Sequence, residues 1–479
     1  MKNIKTNHTR GLILVAVILS MLACTEKLDI QPKQSIDAET ALTSPQNIQA
    51  TLVGAYLEAR HTGIFGSSFN EYSELYAATN DMQFIGTYQQ PREFYRKQAT
   101  VTNTYVSTTW IRAYRLINKT NLLLQQDVLG LLSDSEKQRV EGEARFLRGW
   151  VVFEMTRLFG LPYEPGQANN QPGIPIILIP TNDVQDATKL PRNSVAECYQ
   201  QAIADLSSAK DLLPASNGVY ASSFAASAVL ARLYLQMGNY TAAATEANRV
   251  IEQGGFSLTA TPLEAFNNSG MSPEDIFALQ NNVASNTPWL TVMYASLNGM
   301  GRGDYDIQQV FIDRFHPDDL RGMVQTDTDP GTTIAEVHHM YYIGVGTILN
   351  FGGINTSKWG DYYANIPLIR LAEMYLIRAE ANFESGTGQV GPNTPTQDIN
   401  TIRQRAQAPV HAEPVTRQQI REERYLELCW EGHRLHDLKR WKLNIGDYPY
   451  NAGNLILPIP FREMEVNDLM EQNSWYTGS

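Results

Sequence analysis

Cysteine is scarce in this sequence, which has three such residues among 479. Three cysteines cannot build the disulfide framework that stabilises small secreted domains, so the chain must rely on a hydrophobic core. Cys198 and Cys429 both fall in helical patterns, and we expect buried free thiols at these positions. Whether the two residues are close in space is left open by the sequence.

Motifs of nucleotide chemistry and of nucleophilic hydrolysis are also absent. The sequence has neither a phosphate-binding Gly-Lys-Ser/Thr loop nor a Gly-x-Ser-x-Gly nucleophile elbow. Charged residues make up only 18% of the chain, and the formal net charge is −12 at pH 7. A negative field repels nucleic acid and gives no attraction to anionic lipid, whereas neutral ligands such as sugars are indifferent to it. We therefore expect no nucleic-acid partner and no cofactor.

The first 23 residues have the pattern of a signal peptide. A basic start precedes the aliphatic run from Gly11 to Leu19, which is too short to span a bilayer, and a small residue, Ala23, stands before Cys24. This order predicts cleavage before Cys24, lipidation of Cys24 and a polar tether over residues 24–45. Acyl chains would then anchor the protein to a membrane without a transmembrane helix. The alternative is a plain secretory signal followed by a chance cysteine.

Residues 46–260 have helical periodicity, and the stretch 223–253 has the spacing of a tetratricopeptide repeat. Small side chains allow two helices to approach closely, and a single hairpin cannot bury its own face, so further copies are expected. A weaker copy begins at Pro367, and a generic helical hairpin is the alternative for both. The residues with repeat-like spacing in the first copy are Ala231, Tyr234, Gly238, Ala243 and Ala247.

Residues 261–366 have a different character. Ten of the 33 glycines lie between Gly299 and Gly360, turn residues are frequent, and helical periodicity is lost. We expect a loop-rich subdomain here, inserted before a C-terminal helical region over residues 367–479. Binding sites often lie on loops that a rigid scaffold carries.

The segment from Arg421 to Trp441 predicts one further helix. Apolar residues recur at three- and four-residue steps, and charged residues of largely alternating sign form a second row. One interpretation is a solvent-exposed face of salt bridges. The other is a helix wedged between neighbouring elements, in which arginine side chains pair with carboxylates.

At this segment the sequence resembles the SusD/RagB family. Residues 421–441 read R-E-E-R-x-x-E-L-x-x-E-G-x-R-x-x-D-L-x-R-W, which is similar to the family's most characteristic stretch. Further resemblances follow the family's order, and they extend from the predicted lipidation site almost to the C-terminus. They are residues 24–32, 143–148, 158–162, 319–321, 366–373 and 457–463.

The resemblance implies a mainly α fold of four tetratricopeptide-like hairpins that form a superhelix and carry the loop-rich subdomain. It also implies a lipid-anchored protein on the surface of the outer membrane and a SusC-like TonB-dependent transporter as its partner. The usual cargo of such proteins is an oligosaccharide, whereas RagB-like members handle peptides. A protein-recruiting repeat scaffold and a secreted hydrolase are the alternatives from other functional classes.

Aromatic side chains with polar neighbours are the best candidates for ligand contact, because aromatic faces stack on sugar rings while polar groups bind the hydroxyls. The candidate ligand-binding residues are Asn80, Asp81, Tyr88, Trp289, Tyr305 and Trp359. Core packing is an alternative for each, and flanking polar and turn residues favour Tyr88 and Trp289. Strong helical patterns predict that the following are core residues: Trp110, Trp150, Trp430 and Trp441.

Catalytic and metal-binding patterns are weak. Glu427 and Glu431 stand one helical turn apart and could mimic a glycosidase pair, but the surrounding arginines should lower the pKa of both carboxyl groups. His433 and His436 have a zinc-like spacing without a third ligand nearby in the sequence. A faint calcium-loop pattern at residues 327–331 lacks an acidic position. The sequence therefore predicts neither an enzyme nor a metal site, although a cation within the loop region stays open.

Overall fold

The computed structural model describes residues 42–181, 188–346, 348–386 and 388–477. The predicted signal peptide, Cys24 and most of the predicted tether lie outside these residues. The described chain is mainly helical, as predicted, and its short strands lie chiefly between the two helical regions.

Helices account for most of the described residues before residue 260 and after residue 366. The α-helices are α1 Pro45–Ala59, α2 Ser68–Ala77, α3 Gln89–Tyr95, α4 Thr104–Leu123, α5 Gln126–Leu129, α6 Asp134–Phe159, α7 Val195–Leu212, α8 Ser223–Gln236, α9 Tyr240–Gln253, α10 Trp289–Tyr294, α11 Gln309–Ile312, α12 Leu371–Ser385, α13 Pro395–Arg405, α14 Arg417–Leu428, α15 Arg434–Arg440 and α16 Phe461–Val466. The strands are β1 Met82–Phe84, β2 Asp275–Leu279, β3 Tyr305–Ile307, β4 Val324–Gln325, β5 Tyr341–Ile343, β6 Ile354–Thr356 and β7 Ile366–Arg370.

The long helices pack in pairs that stack on one another. The pairs are α1 with α4, α6 with α7, α8 with α9, and α12 with α13. Each pair also contacts the next one, through α4 and α6, α7 and α8, and α9 and α12. Four stacked pairs agree with the tetratricopeptide-like superhelix that the resemblance implies.

The pair of α8 and α9 shows how the sequence specifies a hairpin. Ala231, Ala243 and Ala247 are fully buried, and their small side chains let the two helices approach closely. Gly238 has a φ of +69°, a left-handed conformation that reverses the chain and that most residues avoid. The Asn239 side chain then accepts a hydrogen bond from the backbone of α9 and caps that helix. The predicted hairpin is confirmed.

The strands form two small sheets. One has the order β1-β3-β6-β5-β4, and the other pairs β2 with β7 in antiparallel fashion. β1 comes from the N-terminal helical region and pairs with β3, so that Met82 lies opposite Ile307 and Phe84 opposite Tyr305. This pairing brings the chain just after β1 beside the glycine-rich turn just before β3.

The segment from Arg421 to Trp441 is not one helix, contrary to the prediction. α14 ends at Leu428, α15 begins at Arg434, and the residues between them turn sharply. Trp430 has a φ of +65° and Gly432 a φ of +84°. These left-handed conformations interrupt the hydrogen-bond ladder of an α-helix.

Hydrogen bonds from other elements stabilise this break. The ammonium of Lys358 donates to the backbone carbonyls of Glu427 (2.8 Å) and Cys429 (2.9 Å), which satisfies carbonyl groups that a helix end leaves free. The backbone N–H of Gly432 donates to the Glu74 carboxylate at 2.8 Å. Contacts between residues 69 to 358 positions apart in the sequence therefore stabilise the end of α14, and local periodicity does not reveal them.

A large core cluster runs through the helix pairs and into the sheets. Cys198 and Cys429 are buried free thiols, as predicted, and burial raises the pKa of both. The predicted core tryptophans are all buried, namely Trp110, Trp150, Trp430 and Trp441.

Candidate functional site

Two aromatic rings from distant parts of the chain meet at the surface. The ring centroids of Tyr88 and Trp289 are 5.8 Å apart, with an interplanar angle of 37°. Tyr105 of α4 extends the group, because its ring centroid lies 6.4 Å from that of Trp289. All three side chains are half-buried, so each packs on the core and keeps part of its ring accessible. We call Tyr88, Tyr105 and Trp289 the aromatic platform.

Helix starts hold the two principal rings in place. Tyr88 directly precedes α3 and has an extended backbone, and Trp289 is the first residue of α10, after Pro288. A proline at this point costs no helical hydrogen bond, because the first N–H groups of a helix have no intrahelical acceptor. The Thr287 hydroxyl donates to the Arg60 carbonyl at 3.0 Å and ties the start of α10 to the end of α1.

Arg302 lies over the platform from the turn that precedes β3. Its guanidinium carbon is 4.2 Å from the centroid of the Tyr88 ring, a cation–π geometry. The guanidinium also donates to the hydroxyl groups of Tyr88 (3.2 Å) and Thr87 (3.0 Å) and to the Asp304 carboxylate (2.9 Å). Asp304 is fully buried; burial raises its pKa, and the hydrogen bond from Arg302 opposes that shift. Arg302 therefore clamps Tyr88 while its own charge is compensated.

A buried carboxyl group supports the platform from the inside. Glu71 of α2 is 1% exposed, and it accepts hydrogen bonds from the hydroxyl groups of Tyr305 (2.7 Å) and Ser67 (2.9 Å). Burial raises the pKa of Glu71 to about 7, and the hydrogen bonds, including a weaker one from Trp289, only partly oppose that rise. Glu71 thus titrates near neutral pH in contact with the platform.

Asn80 and Asp81 have different surroundings. Asn80 is exposed and accepts a hydrogen bond from the Thr79 hydroxyl at 3.3 Å, and it stays a candidate. Asp81 is buried and accepts hydrogen bonds from the Tyr425 hydroxyl and from the backbone N–H groups of Thr79 (2.9 Å) and Met82 (3.1 Å). Its oxygens join the start of β1 to α14, a structural role that does not support the predicted ligand contact.

Tyr305 and Trp359 lie in the core, and their burial does not support the prediction that they contact a ligand. Tyr305 is 1% exposed, and its hydroxyl is used by Glu71. Trp359 is 5% exposed, and its indole N–H donates to the carbonyl of Trp430 at 3.0 Å. Both rings satisfy their polar atoms inside the protein, which is how large aromatic residues are accommodated in a core.

Sequence reasoning did not single out two residues of the site. Tyr105 falls within the regular periodicity of α4, which gives no sign that its ring reaches the surface. Arg302 stands between Gly301 and Gly303, both of which have positive φ values. A single cation between two turn glycines, close to an aromatic-rich region, is the signal that could have identified Arg302.

A further aromatic side chain lies on the loop beside the Arg302 turn. Phe351 is 74% exposed. Its neighbour Asn350 donates to the carbonyl of Tyr305 at 3.2 Å, and a Cβ atom on Gly303 would lie 2.9 Å from the Cβ atom of Asn350. The loop is therefore packed against the Arg302 turn while the Phe351 ring faces solvent.

A cleft of about 430 Å³ opens elsewhere, between residues 261–267, Leu320, Ile334 and residues 337–340. Its volume suits a small ligand. However, no residue of the aromatic platform lines it, and its walls mix aliphatic side chains with Phe266, Glu264, Asn267, His338 and His339. The platform combines aromatic faces with convergent hydroxyl and guanidinium groups, so we take the platform as the candidate site.

Glu427 and Glu431 belong to a buried network of charges. Glu427 accepts hydrogen bonds from Arg321 (3.2 Å), Arg370 (3.3 Å) and Arg405, and Glu431 pairs with Arg370 and with Lys358. Burial by itself would raise the pKa of Glu427, but the guanidinium groups of Arg405, Arg370 and Arg321 lower it below its usual range. The pKa of Glu431 is lowered for the same reason. Two predictions are confirmed. The charged side chains of this segment pack between neighbouring elements as arginine–carboxylate pairs, and the pKa values of Glu427 and Glu431 are lowered.

Within residues 42–181, 188–346, 348–386 and 388–477, no group of three or more His, Cys, Asp and Glu side chains is arranged to hold a metal ion. His433 and His436 are buried there, and burial lowers the pKa of both imidazoles. Among the helices of the same residues, none has the length and apolar character needed to cross a bilayer.

Known families match two stretches of the chain. Residues 26–235 match SusD-like_3, which is described as starch-binding and associating with the outer membrane. Residues 339–455 match SusD_RagB, described as the SusD family.

Individual relatives match over most of the chain or over part of it. SusD-like protein P2 of Formosa agariphila is 25% identical over 521 residues, which covers 96% of this chain and 98% of that protein. The starch-binding protein SusD of Bacteroides thetaiotaomicron is 32% identical over 155 residues, 26% of each chain. The crystal structure of a SusD superfamily protein from Bacteroides thetaiotaomicron superposes with a TM-score of 0.76 and 26% identity, and covers 90% of this chain and 99% of that one.

Proposed function

The chain belongs to the SusD/RagB family, and from this premise we propose that it binds an oligosaccharide at the cell surface and delivers it to a SusC-like TonB-dependent transporter. The observation that carries the proposal is the aromatic platform with Arg302 clamped over Tyr88. Aromatic faces stack on the apolar faces of sugar rings, and hydroxyl and guanidinium groups bind sugar hydroxyls. Because Asp304 compensates the charge of Arg302, and because the chain is negative overall, the site favours a neutral glycan.

The exposed ring of Phe351 supports a ligand of several sugar units. Phe351 lies on the loop that packs against the Arg302 turn, so a chain bound at the platform and running across this turn would reach it. The platform would bind one part of the glycan and Phe351 a second part. Affinity is therefore expected to rise with the number of sugar units.

The binding test has two stages. A glycan array identifies the oligosaccharide class, and isothermal titration calorimetry then measures affinity for variants of the platform. Trp289→Ala and Tyr88→Ala are each expected to weaken binding at least ~10-fold, about 1.4 kcal/mol, because each removes a stacking surface. Trp475→Ala is the matched control, since Trp475 is 58% exposed and lies near the C-terminus.

Two outcomes would overturn the glycan proposal. One is unchanged affinity in both platform variants. The other is binding of peptides with no binding of any glycan, which would favour the RagB-like alternative. Capture of other proteins without any glycan or peptide binding would favour a recruiting scaffold.

The anchor and the transporter need a separate test. We propose that Cys24 is lipidated, so Cys24→Ala should abolish incorporation of labelled palmitate and move the protein from the membrane fraction to the soluble fraction. Wild-type protein extracted from native membranes in mild detergent should copurify with a large outer-membrane transporter. Recovery of the anchored protein alone after cross-linking would contradict delivery to a transporter.

We also propose that binding occurs without bond cleavage. Glu427 and Glu431 are held ionised by buried guanidinium and ammonium groups, whereas a glycosidase needs one carboxyl group that stays protonated. The pKa of Glu71 is raised, but Glu71 is 1% exposed and its two oxygens accept hydrogen bonds from Ser67 and Tyr305. Incubation of the bound oligosaccharide with wild-type protein, followed by mass spectrometry, should return the intact glycan. Shortened products that form with the wild-type protein and are lost in the Trp289→Ala variant would contradict this proposal.

A further inference from the structure

A small cavity of about 20 Å³ lies where the end of α6 meets α7, α8 and α15. It shares no lining residue with the aromatic platform. The residues that matter for its chemistry are Arg157, Tyr199, Gln236, His436, Lys439 and Arg440. Three of these residues, Arg157, Lys439 and Arg440, have basic side chains, and all three side chains are almost completely buried.

A continuous chain of ion pairs includes two of the lining residues, Arg157 and Arg440. Its members alternate in sign, so that every guanidinium group contacts at least one carboxylate and the four positive groups are matched by four negative groups. The order is Arg157, Glu154, Arg232, Glu373, Arg424, Asp437, Arg440 and Glu380. The chain is therefore neutral when its arginines and carboxylates are all ionised.

Lys439 adds a positive group that this chain does not balance. Its side chain is 4% exposed, and its ammonium donates to the carbonyl of Leu455 at 2.7 Å. Across the described ranges of the chain, Lys439 forms no ion pair with a carboxylate. A buried ammonium without a counter-charge is strongly unfavourable; consistent with this, burial and repulsion from Arg157 lower the pKa of Lys439 to about 7.

Arg157 supplies a second donor to the same cavity. Its terminal nitrogen pairs with Glu154, but its Nε atom is buried and has no hydrogen-bond partner among the protein atoms. A buried donor without an acceptor costs about 1–3 kcal/mol. Lys439 and Arg157 thus line one cavity; the ammonium of Lys439 has no counter-charge, and the Nε–H of Arg157 has no acceptor among the protein atoms.

We propose that this cavity binds a monatomic anion, chloride, between Lys439 and Arg157. Its volume corresponds to about one or two water-sized spheres, which is room for a halide ion. A chloride ion would balance the charge of Lys439 and accept charge-assisted hydrogen bonds from both residues. It would also bind α15 to α6, and so stabilise the packing of the C-terminal motif on the helix pairs.

Stability at constant ionic strength tests the proposal in solution. When sodium chloride replaces sodium gluconate, a large anion that the cavity cannot hold, the Tm of the wild-type protein should rise by about 2–4 °C, because the ligand binds only the folded state. Lys439→Met should lose this response. Lys189→Met is the matched control, since Lys189 is 56% exposed and pairs with Asp468 at the surface.

Bromide provides a readout that does not depend on a variant. Wild-type crystals soaked in sodium bromide should show an anomalous difference peak between Lys439 and Arg157. An identical Tm in chloride and gluconate, or an equal chloride response in wild type and Lys439→Met, would overturn the proposal. Bromide peaks found only at the protein surface would overturn it as well, and would indicate that Lys439 is neutral in the folded protein.

Discussion

The ring of Tyr88 lies 5.8 Å from the indole of Trp289, although one residue follows the first strand and the other opens the tenth helix. The antiparallel pairing of β1 with β3 explains part of this proximity, because it places the chain around Tyr88 beside the turn that carries Arg302. Arg302 then fixes the Tyr88 ring from above. The platform is thus a product of the tertiary fold and not of any single segment.

Arg302 is expected to matter for both stability and binding. Arg302→Ala leaves the buried Asp304 carboxylate unpaired, so we expect a loss of roughly 3 kcal/mol in the free energy of unfolding. The double variant Arg302→Ala, Asp304→Asn should recover most of that stability, because the uncompensated charge is gone. Its affinity for the glycan should stay low, since Tyr88 is no longer clamped. A double variant that binds as tightly as wild type would show that Arg302 takes no part in the site.

Glu71 should make the stability of the protein depend on pH near neutrality. Burial raises its pKa from 4.5 to about 7, so between these pH values the folded state binds more protons than the unfolded state. The free energy of unfolding should therefore fall as pH rises from about 4.5 to about 7, by up to ~3 kcal/mol from this residue.

Glu71→Gln should remove the decline that Glu71 contributes and stabilise the protein above pH 7. A decline of similar size is expected to remain, because burial also raises the pKa of Glu74 to about 7. Urea unfolding at several pH values measures the effect, with Glu422→Gln as a control at a partly exposed position. Parallel pH profiles for wild type and Glu71→Gln would contradict the assigned environment of Glu71.

Glu427 is expected to be a stability hot spot of the C-terminal motif. Glu427→Gln leaves the buried guanidinium groups of Arg321, Arg370 and Arg405 short of one counter-charge, which should cost about 3–5 kcal/mol. Because the folded pKa of Glu427 is lowered, its contribution is present above its ordinary pKa and is lost as pH falls below it.

The matched control for this substitution lies on the same helix. Glu422→Gln breaks the partly exposed pair with Arg314 and should cost less than about 1 kcal/mol. Denaturant unfolding of both variants compares the two losses directly. Equal losses would mean that the buried network contributes no more than a surface salt bridge.

Gly432 is expected to tolerate no side chain. Its φ is +84°, and an added Cβ atom would lie 3.0 Å from the Cα atom of Asn70, so Gly432→Ala should cost about 1–3 kcal/mol. Gly54 in α1 has open space around it, and Gly54→Ala should stabilise the protein by about 0.5–1 kcal/mol. Thermal unfolding measures both effects. If the Tm values of the two variants were both higher, or both lower, than that of the wild-type protein, the geometry of one of the two glycines would be contradicted.

The helical scaffold could be predicted from sequence because its signals are local. The spacing of Ala231, Gly238 and Ala243 is a direct consequence of close helix packing, and the structure contains that hairpin. The same holds for the buried tryptophans of the regular helices. The break between α14 and α15 could not be predicted, because Lys358 and Glu74 stabilise it from far along the chain.

The candidate site could be predicted only in part. Tyr88 and Trp289 stood out because polar and turn residues flank them, and the structure brings their rings together. Tyr305 has similar flanking residues, but it lies on an inner strand of the five-stranded sheet, between β1 and β6, and is buried there. Exposure of an aromatic ring depends on which strand or helix covers it, and single-sequence patterns do not contain that information.

The most direct test of the account is a crystal structure of the protein with the oligosaccharide that the glycan array identifies. We predict sugar rings stacked on Trp289 and Tyr88, hydrogen bonds from Arg302 to sugar hydroxyls, and contact between the far end of the glycan and Phe351. A glycan bound in the cleft that Phe266 and Met340 line, with the platform untouched, would contradict it.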